Sequence, residues 1–400
     1  MNDITHGTFD PDFAAVAEVF EQNFTARDEV GASVAMTVGG KSVVDLWGGH
    51  KDAERKQPWE EDTVCIVFSC TKGAVALCAH LLVSRGELDL DAPVADVWPE
   101  FAQKGKEGVT VRMMLDHSAG VPAMRQPLTP GDCCDWDVMI GHLEREEAWW
   151  PPGTRNGYHM INFGWTVGEL VRRVSGRSLG TFFREELAEP LGADFWIGLP
   201  ESEEPRVAPM IPWRPDPTAE PSPFQRAILE DPQGLQAMAL LNTGGFDPNS
   251  PACHAAEIGG GGGISNARGL ARLYAPFANA GDDFIDAETR AQMARVSMAT
   301  HEDATLLVPS RFALGFMKTM DNRGRKNGST DSVVLSDAAF GHVGAGGSIG
   351  FADPEAQLSF GYAMNRMGEG ILLNERGQSL VDAAYRCLGY ESNASGAWTR

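Results

Sequence analysis

The sequence has no apolar run long enough to cross a bilayer, so no membrane-spanning segment is expected. It has no C-x-x-C pair, and its seven cysteines are an odd number with two of them adjacent, at Cys133 and Cys134. That usage fits free thiols in a reducing compartment, not a disulfide framework. No His/Cys cluster has zinc-ligand spacing and no H-E-x-x-H is present, so neither a metal nor a cofactor is expected. The amino terminus, MNDITHGTFDPDF, shows no basic stretch followed by an apolar one. No secretory signal is read there, and the expected location is the cytoplasm. Positive charge is also short: Lys and Arg total 33 against 55 Asp and Glu, a formal net charge of -22. Such a surface repels phosphate backbones and anionic lipid, which argues against nucleic acid or a membrane as partner and leaves a small molecule. Oligomeric state is not legible.

What is present suffices for a sizeable core: 400 residues, 43% of them hydrophobic. Phe13, Val16, Phe20 and Phe24 recur at helical spacing. ASVAMTVGGKSVVDLWGG reads as a hairpin around Gly39-Gly40. From Ser69 the chain turns helical, with Val75, Cys78, Leu81 and Leu82 on one face, and ends near Gly86. The middle is mixed, with clear helical patterns at 162–176 and 265–281. Strands return at RFALGFMKT and in the hairpin GSIGFAD-PEAQ-LSFGYAMN. There Leu358, Phe360, Tyr362 and Met364 alternate with Ser359, Gly361, Ala363 and Asn365. A last helix includes Leu380, Ala384 and Leu388. Strands at both ends with helices between them predict an α+β fold. One antiparallel sheet is built from 1–90 and 305–400, and a mostly helical lobe is inserted at 91–304.

Two serines compete for a catalytic role. Gly346-Gly347-Ser348-Ile349-Gly350 matches the G-x-S-x-G elbow, which requires strand, tight turn and helix. Ser348 is instead followed by strand, turn and strand, so its glycines are read as a close backbone approach. VFSCTKGAV holds Ser69-Cys70-Thr71-Lys72, an S-x-x-K at a helix start. Positions i and i+3 share a helix face. A desolvated lysine can take the serine's proton, and the helix N-terminus offers N–H donors for an oxyanion. The same spacing also fits a capping serine with a solvated lysine one turn on. GGGGGIS, from Gly259 to Ser265, lacks the ending of a phosphate loop and is read as a flexible turn, with Ser265 capping the next helix. Trp149-Trp150 is compatible with core packing or with a wall of the acyl pocket. His117 is read as holding a turn.

LDHSAG at Leu115–Gly120, PGT at Pro152–Thr154 with Tyr158, and His342-Val343-Gly344 complete a pattern. In order and spacing it resembles the serine β-lactamase and penicillin-binding-protein superfamily. Within it the chain is most similar to the class C β-lactamase-like family VIII carboxylesterases. The resemblance runs from the first hairpin to the last helix. It implies a β-lactamase/transpeptidase-like fold, Ser69 as acylated nucleophile, Lys72 as its proton acceptor and Tyr158 as a base or shuttle. It implies an oxyanion hole from the backbone N–H groups of Ser69 and Ala345, with His342 and Gly344 on the strand edging the site, where the glycine lets a substrate lie; Trp150, just ahead of Tyr158, stays open between the acyl pocket and core packing. Met160 stands where the family's Y-x-N motif has Asn, and Asn162 is not given that role. His342 stands where K-T-G has Lys, which removes a fixed positive charge and disfavours carboxylate-bearing substrates. The expected activity is hydrolysis of small esters with short acyl chains. β-Lactamase, D-amino-acid peptidase or amidase and acyltransferase activities remain alternatives, as does a catalytically silent binding protein.

Overall fold

The computed structural model describes residues 4–214, 218, 220–279, 284–325 and 331–400. Its centre is a six-stranded antiparallel sheet made from the two ends of the chain. The strands are β1 (Thr5–Phe9), β2 (Gly31–Val38), β3 (Lys41–Gly49), β4 (Phe340–Val343), β5 (Ile349–Asp353) and β6 (Leu358–Met364). Their order is β1-β3-β2-β6-β5-β4. The seam between N-terminal and C-terminal halves is the β2–β6 ladder, with Val34 opposite Tyr362 and Met36 opposite Phe360. Strand β1 was not expected. It is a half-exposed edge strand with little apolar patterning, so its sequence carries no clear period-two signal.

Five helices position the site: α1 (Ala14–Ala26), α2 (Cys70–Ser84), α3 (Asn162–Ser175), α4 (Ala267–Ala278) and α5 (Glu375–Cys387). The alternation in β6 explains how helices fit both faces of the sheet. Leu358, Phe360, Tyr362 and Met364 join the core that includes Phe20 of α1 and Leu380 of α5. The opposite face is small, with Ala35 against Ala267 and Ala271 of α4. A side chain at Gly361 would run into the Ala267 carbonyl, and one at Gly350 would press on Tyr274 and Leu270. Large residues on one face and small on the other thus set how closely each helix lies. Helix α4 falls within 91–304 of the sequence yet packs on the sheet. The second core joins α2 to α3 and the helical lobe.

Several expectations change. Helix α2 is not amphipathic: it is buried from Cys70 through Leu82, Lys72 and His80 included, because it runs between α3 and the sheet. RFALGFMKT is not one strand. Ser310–Phe312 pairs with Met298–Thr300, and the chain then turns at Gly315 (φ +85°) before Met317 bridges to Gly341. Ser265 does not cap α4. It lies in the short strand Ile264–Ser265, and Asn266 caps instead, accepting from the Gly269 N–H at 2.9 Å. Residues 280 and 281, the end of that expected helix, lie outside the described residues. Among the described residues no helix is long and apolar enough to cross a membrane.

Candidate active site

The chain reaches Ser69 under tight local control. Val67 donates its N–H to the Gly263 carbonyl at 2.9 Å, and Phe68 takes φ +44°. An aromatic residue in that region is strained and persists only where its surroundings fix it. They do so here: the Phe68 carbonyl accepts from both the N–H and the hydroxyl of Thr71, whose Oγ1 also accepts the Gly263 N–H. Ser69 then opens α2 without capping it, so its hydroxyl is not consumed by the helix. The Cys70 thiol donates to the His342 carbonyl at 3.2 Å and ties the helix start to β4.

Lys72 is fully buried. Its Nζ lies 3.0 Å from Ser69 Oγ, 2.5 Å from the Met160 carbonyl oxygen and 2.6 Å from that of Gly260. Burial holds its pKa well below the usual lysine value. A neutral amine has two N–H bonds and one lone pair. The two carbonyls accept the N–H bonds, which leaves the lone pair for the Ser69 hydroxyl proton. The alternative of a capping serine with a solvated lysine does not describe this geometry.

Tyr158 packs its ring 4.9 Å from Lys72 Nζ. Its hydroxyl is buried, makes no well-formed hydrogen bond and has Ser69 as its polar neighbour. Burial raises the phenol's pKa, so it stays protonated. Asp303 anchors this segment: its buried Oδ1 accepts the N–H groups of Tyr158, Thr305 and Leu306, each at 2.9 Å. The N–H groups of Ser69 and Ala345 make no hydrogen bond among the described residues, and both residues line a cavity of about 230 Å³. Apolar side chains dominate its walls, among them Phe68, Ile161, Leu240, Phe246 and Ile371.

His342 is buried beside Tyr158, with ring centroids 6.0 Å apart. Its Nδ1–H donates to the Val343 carbonyl at 2.8 Å, which leaves Nε2 as an unpaired acceptor. Burial pushes its pKa down to about 3, so the ring is neutral. Gly344 is required by the chain itself, since a side chain there would strike the Val67 carbonyl just ahead of Ser69. Neither Gly344 nor His342 is among the residues that line the cavity. Trp150 does not line the cavity. Its ring lies against Gly157 and edge-on to His159, so core packing is its place. Ser348 is fully buried and is followed by β5, not by a helix. Asn162 donates to the Val121 carbonyl, away from the cavity.

Two contributors were undervalued in the sequence. The glycine run does form a turn, at 259–261, but a buried one: Gly260 supplies an acceptor to Lys72, and any side chain on it would strike the Ile161 carbonyl. His117 sits in the left-handed region (φ +66°), accepts the His159 N–H on Nδ1 and packs its ring at a tilt against Tyr158, with centroids 5.0 Å apart.

Fold and site together define the β-lactamase/transpeptidase-like class, of mixed α+β architecture. A family model described as Beta-lactamase matches residues 16–383, and the chain belongs to that family. It is 36% identical to Esterase/beta-lactamase LipL of Mycobacterium tuberculosis over 90% of this chain and 83% of that protein. Among solved structures it is similar to a family VIII carboxylesterase at 38% identity, with a TM-score of 0.83 over 96% of this chain and 99% of that one. A penicillin-binding-protein homologue from Caulobacter crescentus gives 35% identity and a TM-score of 0.83 over 96% and 99% of the two chains.

Proposed function

We propose that the protein is a serine hydrolase that cleaves small carboxylic esters with short acyl chains through an acyl-enzyme on Ser69. The observation that carries this is the buried Lys72 with two carbonyl partners and its third direction at Ser69 Oγ. Oγ attacks the ester carbonyl carbon as its proton passes to Lys72 Nζ. The N–H groups of Ser69 and Ala345 hold the oxyanion. The Tyr158 phenol, kept protonated by burial, gives a proton to the departing alkoxide and regains one from Lys72. Water then attacks the acyl carbon, and the acid leaves as Ser69 recovers its proton. The apolar cavity suits an acyl chain. The neutral His342 offers no cation to a substrate carboxylate, which favours neutral esters over β-lactams. The names of relatives, an esterase/beta-lactamase and a family VIII carboxylesterase, agree with this reading.

A fluorophosphonate probe is expected to label the peptide containing Ser69, read by mass spectrometry, and p-nitrophenyl butyrate is expected to turn over faster than nitrocefin. Labelling elsewhere sinks the acyl-enzyme assignment, and the reverse substrate order sinks the ester preference. Asp303→Ala, which frees the Tyr158 backbone, should lower kcat/KM for the ester by about 10²-fold. Asp303→Asn keeps a carbonyl acceptor and should recover part of that loss. Equal loss in both variants would contradict positioning through these N–H groups.

A further inference from the structure

Three cysteines that the sequence does not connect meet outside the Ser69 cavity. Cys133 and Cys134 are adjacent, and Cys253 lies 119 residues beyond Cys134. The Sγ atoms are 3.8 Å apart for Cys133–Cys134 and 3.8 Å for Cys134–Cys253, and all three fall within 4.8 Å of one another. Two Zn–S bonds of about 2.3 Å at a tetrahedral angle set their sulfurs about 3.8 Å apart. Cys133 and Cys253 are buried while Cys134 is exposed, beside a cavity of about 380 Å³. The carboxylates nearby are engaged: Asp137 pairs with Arg172 at 2.7 Å, and Glu257 accepts from Ser178 and Gly180 at 2.7 and 2.9 Å. A fourth ligand position therefore falls to water.

The cluster also touches the candidate active site through one loop. The Gly244 carbonyl accepts the N–H groups of Gly131 and Cys133 at 2.9 and 3.2 Å, and the Asp247 N–H reaches Cys253 Sγ at 3.4 Å. Gly244 and Gly245 have φ of +71° and +84°, and a Cβ on Gly244 would stand 2.8 Å from the Cys133 nitrogen. Thr243 and Phe246, in the same loop, line the Ser69 cavity.

We propose that Cys133, Cys134 and Cys253 bind one thiophilic divalent cation of the Zn²⁺ type, and that occupancy fixes the loop that walls the Ser69 cavity. The three thiols bind as thiolates and release three protons, one water of the hexaaqua ion stays as the fourth ligand, and the other five leave. Affinity therefore rises with pH. The coupling rests on the ester-hydrolase reading, whereas the metal site does not.

The test uses the full chain, reduced and metal-free, with Cd²⁺ as probe and its thiolate charge-transfer absorption as readout. One equivalent per chain is expected. Affinity should fall in Cys253→Ser and in Cys134→Ser by more than the about 10- to 100-fold that losing an outer-shell partner costs. Cys134 is exposed, so that variant keeps the fold. Cys387→Ser should bind as the parent does. Absence of saturable one-equivalent binding, or unchanged affinity in the Cys134 and Cys253 variants, overturns the site. Zn²⁺ at saturation should change kcat/KM for p-nitrophenyl butyrate by about 2- to 30-fold in the parent and not in Cys134→Ser. An unchanged rate with metal bound overturns the coupling. Metal binding is read without any ester turnover, so failure of the hydrolase reading leaves it intact.

Discussion

Lys72→Arg is expected to lower kcat/KM for p-nitrophenyl butyrate by about 10²- to 10⁴-fold, the range a general base contributes. Charge and donor number are kept or increased in that variant, so a role for Lys72 as a cation would survive it. A guanidinium does not lose its proton in a protein, so a role as proton acceptor would not survive. Lys72→Met, with neither charge nor lone pair, should fall equally far. Ser69→Ala should cost about 10⁴-fold or more, because loss of the nucleophile removes the acyl-enzyme route altogether. Ser348→Ala should stay close to the parent, since that side chain is buried and is not among the residues that line the Ser69 cavity. In the parent, the acid limb of kcat/KM should lie well below the ordinary lysine range, because burial favours neutral Lys72. His342, neutral down to about 3, should add no limb near neutrality. A Lys72→Arg enzyme within about tenfold of the parent would remove the general-base assignment.

What the sequence could carry of this site was its local part. Ser69 and Lys72 are one helical turn apart, and that geometry follows from spacing alone. The alternation in β6 and the hairpin at Gly39-Gly40 were likewise period and turn signals, and both elements form where they were read. What was not legible depends on long-range closure. Gly260 meets Lys72 across 188 residues, and nothing in a run of glycines announces which carbonyl will accept a hydrogen bond. Trp150 stands near Tyr158 in sequence, which kept the pocket open beside core packing, but its ring fills the space that Gly157 leaves and is not part of the cavity lining. The burial of α2 all round was not legible because Lys72 and His80 are polar side chains that spacing alone does not place in an interior. Cys253 was simply a lone cysteine until the fold carried it to Cys133 and Cys134.

The two halves of the sheet are also fastened by a buried ion pair, and its loss should produce the largest stability change. Glu29 is fully buried and Arg376 nearly so, with Nη1 to Oε1 at 2.9 Å. The Tyr362 hydroxyl donates to the same carboxylate, and Arg376 Nη2 donates to the Arg366 carbonyl at 2.6 Å. The contact joins the turn between α1 and β2 to β6 and α5. Arg376→Met strands Glu29 in the interior and should destabilise the fold by about 3–5 kcal/mol, read as a lower urea midpoint. Burial already raises the Glu29 pKa against the pull of Arg376, and removing Arg376 raises it further. The native state then binds the Glu29 proton more tightly than the unfolded state does. Stability from this group therefore falls as pH rises through the native pKa, and the variant's deficit should shrink on acidification. Glu29→Leu combined with Arg376→Met removes both charges and should recover most of the loss. A single Arg376→Met variant as stable as the parent at neutral pH, or a deficit that grows on acidification, would show that the pair does not hold the two halves together.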